Sequence, residues 1–165
     1  MDILPLSNMV RFNYRKVVPL AYDAMIRMQK YIDESGIDEQ TMELIKIRAS
    51  QINHCAFCLD MHTQDAMAIG IGERKIFNVS VWKESPFFTQ RERIALELTE
   101  YVTMISQNGV PDDLYQKTME LFSQEEYVNL IMCINVINCW NRLSVACGFE
   151  AGIYNRKKTQ TKSEE

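Results

Sequence analysis

The chain has 165 residues, 47% hydrophobic and 24% charged, with a formal net charge of −4, enough for one domain with a hydrophobic core. A pI of about 5.3 argues against general nucleic-acid binding, which needs a basic face, and no run of about twenty apolar residues offers a membrane span. Six glycines and four prolines fall between periodic segments, which favours long helices over many short strands.

Residues 1–18 form an N-terminal arm that packs on the body or on a neighbouring subunit. Arg11, Arg15 and Lys16 interrupt its apolar residues, so no signal peptide is expected. Pro19 opens the first long helix, where a proline lacks no needed N–H. Leu20, Ala24, Met28 and Ile32 then follow at four-residue steps, and Gly36 ends the helix. Asp38 caps a second helix running to about Asn53, with Met42, Ile45, Ala49 and Ile52 on one face. The third helix covers 55–69 and stops at Gly70, and a shorter one follows over 73–81.

Thr89 with Glu92 reads as a capping box ahead of the periodic run Ile94, Leu98, Tyr101, Val102 and Ile105. Gly109 and Pro111 break the chain, and Pro111 starts a helix ending near Phe122. Ser123 with Glu126 is a second capping box, opening about twenty helical residues that reach Cys147 or Gly148. That helix is apolar nearly all round, so it is expected at the centre of the domain or at a subunit interface. Its Asn135, Asn138 and Asn141 need partners wherever they are buried, and Cys133, Cys139 and Cys147 read as core thiols. The tail, 151–165, is polar and charged from Asn155 onward and is read as disordered. The fold expected over 19–150 is an all-α, single-domain helical bundle.

The chemistry-bearing segment is Glu43 to His62, ELIKIRASQINHCAFCLDMH. Cys55 and Cys58, three apart at a helix start, place both sulfurs on one face within bridging reach. A helix N-terminus carries unpaired N–H groups and partial positive charge, which lowers a thiol pKa there. His62 lies one turn beyond Cys58 and can accept its proton or pair with its thiolate. Glu43, on the preceding helix, reaches this site if the two helices fold back on each other. The expected chemistry is attack of the Cys58 thiolate on a hydroperoxide, sulfenic acid formation and closure of a Cys55–Cys58 disulfide, which an external dithiol reopens. An odd cysteine count with no secretory pattern argues against a secreted disulfide framework and for a reducing cytoplasm.

The pattern Glu43-x11-Cys55-x2-Cys58-x3-His62 resembles the motif of the alkylhydroperoxidase D-like branch of the carboxymuconolactone decarboxylase family. Leu44–Asn53, Gly70–Trp82, the helix entry Phe88–Arg93 and Asn138–Arg142 are similar too, so the likeness spans roughly 19–150. It implies an all-α fold, homo-oligomers such as trimers or hexamers, and hydroperoxide reduction in antioxidant defence with no cofactor and no bound metal. It further implies Cys58 as the attacking thiol, Cys55 as its resolving partner, Glu43 and His62 as proton relay, and a thioredoxin- or lipoyl-type dithiol as reductant. One departure stands out. Alkylhydroperoxidase D has a histidine directly before its second cysteine, where this chain has Phe57, which suggests a different peroxide or lower activity.

Other readings stay open at this level. The same dithiol suits a redox sensor or disulfide-exchange protein. A non-redox decarboxylase-like enzyme would not need the cysteine pair. Zinc held by Cys55, Cys58, His62 and either His54 or Glu43 would make a structural module, although no second ligand pair is present. His54 reads as a helix-junction residue, Glu43 equally as a solvated one, and Trp82 and Trp140 as packing residues.

Overall fold

The computed structural model describes residues 10–156. Among them are nine α-helices, one 3-10 turn and no strand: α1 (Tyr14–Val17), α2 (Pro19–Asp33), α3 (Glu39–Ile52), α4 (Ala56–Ala68), α5 (Glu73–Phe77), the 3-10 turn Val79–Val81, α6 (Gln90–Thr103), α7 (Ile105–Asn108), α8 (Asp112–Met119) and α9 (Gln124–Cys147). The caps set these boundaries. Asp38 accepts from the Thr41 N–H at the start of α3, and both capping boxes, Thr89/Glu92 and Ser123/Glu126, are formed in full. Gly148 ends α9 in the left-handed conformation, which glycine enters without Cβ strain.

The centre of the bundle is α3, not α9. Met42, Ile45 and Ala49 join one apolar cluster with α6, α8 and α9. Leu44 and Ile47 join a second with Ala66, Ile71, Ile76, Val79, Trp82, Phe88 and Leu96. Every residue from Thr41 to Ile47 is therefore buried. The apolar circumference expected of α9 is incomplete, since Val128, Asn135 and Val145 are exposed. By length and apolar composition alone α9 could cross a membrane. Here its buried asparagines are matched instead to partners on other elements: Asn129 to Tyr31 and Ser35, Asn138 to Thr103, and Asn141 to Ser50.

Several boundaries and faces differ from the sequence reading. The stripe Leu20–Ala24–Met28–Ile32 is not the inward face of α2, because Leu20 and Ala24 are exposed. The helix is rotated so that Tyr22 packs edge-on against Trp140 and Gln29 accepts from the Trp140 indole N–H at 3.1 Å. The 73–81 helix divides into α5 and the 3-10 turn. The helix after Thr89 breaks at Met104 before its expected Ile105. The segment after Pro111 is helical only to Met119, with Pro111 as the residue before its first turn.

Of the arm, residues 10–18 are described and lie on the body: Arg11 N–H donates to the Cys147 carbonyl at 2.9 Å, and Tyr14 packs on Phe149. Of the tail, 151–156 are described and tied to α4. The remainder of both segments, 1–9 and 157–165, lies outside the described residues.

Candidate active site

The α3–α4 junction builds the site. After Ile52 the chain turns through Asn53 and through His54, which has a φ of 53°. That left-handed conformation is uncommon for a residue with a Cβ. His54 is exposed at this junction, as its position before Cys55 suggested. The turn is clamped on both sides. Asn53 donates from one amide nitrogen to the side-chain oxygens of Asn138 and Asn141, each at 2.9 Å. The Cys55 N–H donates to the Ser50 carbonyl at 3.0 Å. Two of the three asparagines noted on α9 thus lock the approach to the cysteines.

Cys55 is the N-cap of α4. Its sulfur accepts from the Cys58 N–H at 3.3 Å, and a disulfide joins the two residues, whose Cα atoms are 5.4 Å apart. Both are buried. Cys58 and His62 share one face of α4 and line the same cleft of about 330 Å³, walled also by Tyr22, Phe57, Met61 and Trp140. Phe57, in the position that departs from the family motif, packs edge-on against Phe149 at 5.5 Å.

Behind the imidazole lies Glu43, buried rather than solvated. His62 Nδ1 is 3.0 Å from Glu43 Oε2, and Lys46 Nζ donates to Oε1 at 2.8 Å. Burial pushes the Glu43 carboxyl upward, but the hydrogen bond and charge of His62 and the charge of Lys46 outweigh it and hold the pKa down at about 2. A carboxylate can only accept, so Nδ1 carries a hydrogen and donates it to Glu43. Lys46 is shifted up: burial opposes its charge, and Glu43 more than restores it.

The structure brings Glu43, Cys55, Cys58 and His62 into one locus. It adds two residues that the sequence reading passed over. Lys46 compensates Glu43, a pairing visible in retrospect as an i,i+3 step. Asp65 follows Cys58 by seven residues and His62 by three, the spacing of one helical face. Carboxylate oxygens of Glu43 and Asp65 and a ring nitrogen of His62 lie within 4.8 Å of one another, close enough to approach a cation. Lys46 on Glu43 and Arg156 on Asp65 already pair with both acids. The zinc alternative needs Cys55 and Cys58 as separate thiolates, and here each sulfur is bonded to the other.

The other cysteines are packing residues. Cys133 and Cys147 are buried and Cys139 half-buried. Burial pushes the Cys133 thiol up to about 12.

Comparison with known proteins gives a consistent picture. The sequence profile of the Carboxymuconolactone decarboxylase family matches residues 19–101. The uncharacterised protein YdfG of Bacillus subtilis (strain 168) is 45% identical over 141 residues, covering 86% of this chain and 96% of that protein. A crystal structure from Agrobacterium tumefaciens, of a protein proposed to be the antioxidant defence protein AhpD, superposes with a TM-score of 0.85 at 39% identity, covering 88% of this chain and 99% of that one. The alkylhydroperoxidase AhpD core of a peroxidase-related protein from Ralstonia eutropha JMP134 gives a TM-score of 0.75 at 17% identity, covering 85% and 75% of the two chains, and shares the fold.

Proposed function

The chain belongs to the carboxymuconolactone decarboxylase family, in its alkylhydroperoxidase D-like branch, and from that premise we propose that it is a thiol-dependent hydroperoxide reductase. One observation carries the reading: Cys58, bridged to Cys55 at a helix entrance, lines a cleft shared with His62, whose Nδ1 is held by an ionised Glu43.

In the reduced protein, His62 Nε2 takes the Cys58 thiol proton, and the positive helix entrance stabilises the thiolate. The sulfur attacks the distal peroxide oxygen. An S–O bond forms and the O–O bond breaks. The leaving alkoxide takes the imidazolium proton and departs as alcohol, or as water from hydrogen peroxide. The peroxide is reduced by two electrons, and Cys58 is oxidised to sulfenic acid. Cys55 attacks that sulfur, closes the disulfide and releases water. An external dithiol of thioredoxin or lipoyl type restores both thiols by exchange. The setting is the cytoplasm, and the protein works as a homo-oligomer, trimer or hexamer. Exposed apolar residues on the arm and the start of α2 (Phe12, Val17, Val18, Leu20) support self-association.

The test is a thiol titration of reduced protein before and after one equivalent of cumene hydroperoxide, with mass spectrometry of the product. Two thiols should disappear into a Cys55–Cys58 bridge. Cys58→Ser should consume no peroxide, and Cys55→Ser should stop at a sulfenic acid that dimedone traps. Wild-type protein that keeps all its thiols would remove the peroxidase reading.

A further inference from the structure

Asp65 is the carboxylate that this chemistry leaves unused. It projects from the same face of α4 as Cys58 and His62, and its carboxylate comes within 4.8 Å of both the Glu43 carboxylate and the His62 ring. The imidazole therefore stands beside two carboxylates, and each has its own cation. Lys46 serves Glu43 at 2.8 Å from within α3. Arg156 serves Asp65 at 3.1 Å from the chain that follows α9. The Tyr154 hydroxyl donates to the same Asp65 oxygen at 2.8 Å, and Arg156 also donates to the Asp65 backbone carbonyl at 3.1 Å. The Gly152 N–H donates to Asp60 Oδ2 at 2.8 Å, one turn earlier on the helix. Residues 152–156 thus form a strap across α4.

We propose that Arg156 and Tyr154 are positioning residues that set the proton affinity of His62 through Asp65. A carboxylate a few ångströms from an imidazole favours its protonated form, and a cation on that carboxylate cancels much of the effect. Seating the strap weakens the hold of His62 on a proton, and lifting it strengthens that hold. Burial and the hydrogen bond to Asp65 push the Tyr154 hydroxyl pKa upward, so it remains a donor to the carboxylate.

The remaining surroundings do not substitute for this pair. From α3 the facing charges are Glu43 and Lys46, already matched to each other. From α2 Asp33 and Tyr22 line the cleft, and from α1 Tyr14 and Arg15. On α4 itself Cys58 is tied into the disulfide. From α9 the cleft receives only uncharged groups, Trp140 and Ser144, while Cys133 lies toward Lys46 with its thiol pKa raised. Arg156 is the cation on Asp65.

The proposal deepens the reading of His62 as the base, and its readout needs no peroxide. The chain has two histidines, so proton NMR of the oxidised full-length protein resolves two imidazole titrations, with exposed His54 as internal reference. Arg156→Gln should raise the His62 midpoint by roughly half to one pH unit, and Asp65→Asn should lower it by a similar amount. Arg156→Lys should return it toward wild type, and adding Arg156→Gln to Asp65→Asn should change nothing further. Tyr154→Phe should give a smaller rise. Should Asp65→Asn fail to fold, the comparison of Arg156→Gln with Arg156→Lys decides alone. An unmoved His62 in Arg156→Gln, or shifts of the same sign in Arg156→Gln and Asp65→Asn, would overturn the proposal. Absence of peroxide reduction in wild type would remove the enzymatic reading and leave this titration intact.

Discussion

Lys46 and Glu43 form a 2.8 Å ion pair in which neither side chain is more than 10% exposed. An internal pair of this kind is fragile to removal of one partner, because the survivor keeps its charge in a poorly solvated site.

Glu43→Gln should therefore destabilise the fold by about 3 kcal/mol, since it strands Lys46. Urea unfolding followed by circular dichroism measures this. The double variant Glu43→Gln/Lys46→Met should recover most of the loss, because replacing a whole buried pair by apolar groups of similar volume is often neutral. A double variant as unstable as the single one would place the loss in packing rather than charge.

The pH dependence of stability follows from Glu43 and its two partners, His62 first and Lys46 second. The Glu43 carboxyl is held down at about 2 against an ordinary value of 4.5. A depressed acid contributes stability that is fully present above the unfolded value and is lost as pH falls through the folded one. The urea midpoint should hold down to about pH 4.5 and then decline toward pH 2, more steeply in wild type than in Glu43→Gln. Lys46, raised above its ordinary 10.5, runs the other way: its contribution is present below 10.5 and is lost as pH climbs through the raised value.

Asn53→Ala removes the one donor that reaches both Asn138 and Asn141. Asn138 Oδ1 keeps its hydrogen bond from Arg142, but Asn141 Oδ1 loses its donor, and leaving a buried acceptor without a partner costs roughly 1–3 kcal/mol. The thermal midpoint should drop by several degrees for a domain of this size. The rate at which a small dithiol opens the Cys55–Cys58 bridge should rise, because the turn before Cys55 loses its anchor. An unchanged reduction rate would show that the anchor does not reach the sulfurs.

Cys133 supplies a control within the same molecule. With its thiol pushed up to about 12, almost none is ionised near neutral pH, and the thiolate is the reactive form. Iodoacetamide applied to reduced native protein at pH 7.5 should label Cys58 well before Cys133, as peptide mass spectrometry would reveal. Denaturant should erase the difference.

Locally encoded features were readable directly from the sequence. Thr89/Glu92, Ser123/Glu126 and Asp38 cap helices through contacts three residues away, so the chain announces them without tertiary knowledge. The candidate site was readable as far as Cys55, Cys58, His62 and Glu43 share a spacing. The face of α2 was not, because Tyr22 and Gln29 are amphipathic and their inward turn depends on Trp140, more than a hundred residues away. The central place of α3 was hidden because Glu43 and Lys46 look like a solvated i,i+3 pair, and only tertiary packing reveals that they are enclosed. The strap onto Asp65 was hidden for a related reason: polar composition from Asn155 onward suggests a free end, and the partners are some ninety residues apart.

Cys55 caps the helix with the sulfur that also bonds to Cys58, while its own N–H is held by Ser50 and the preceding turn by Asn53. The backbone scaffold of α4 therefore does not depend on the bridge. Opening such a bridge asks for rotation of two side chains and leaves these backbone contacts in place. A reductant need only reach a sulfur; it does not have to pry apart a helix.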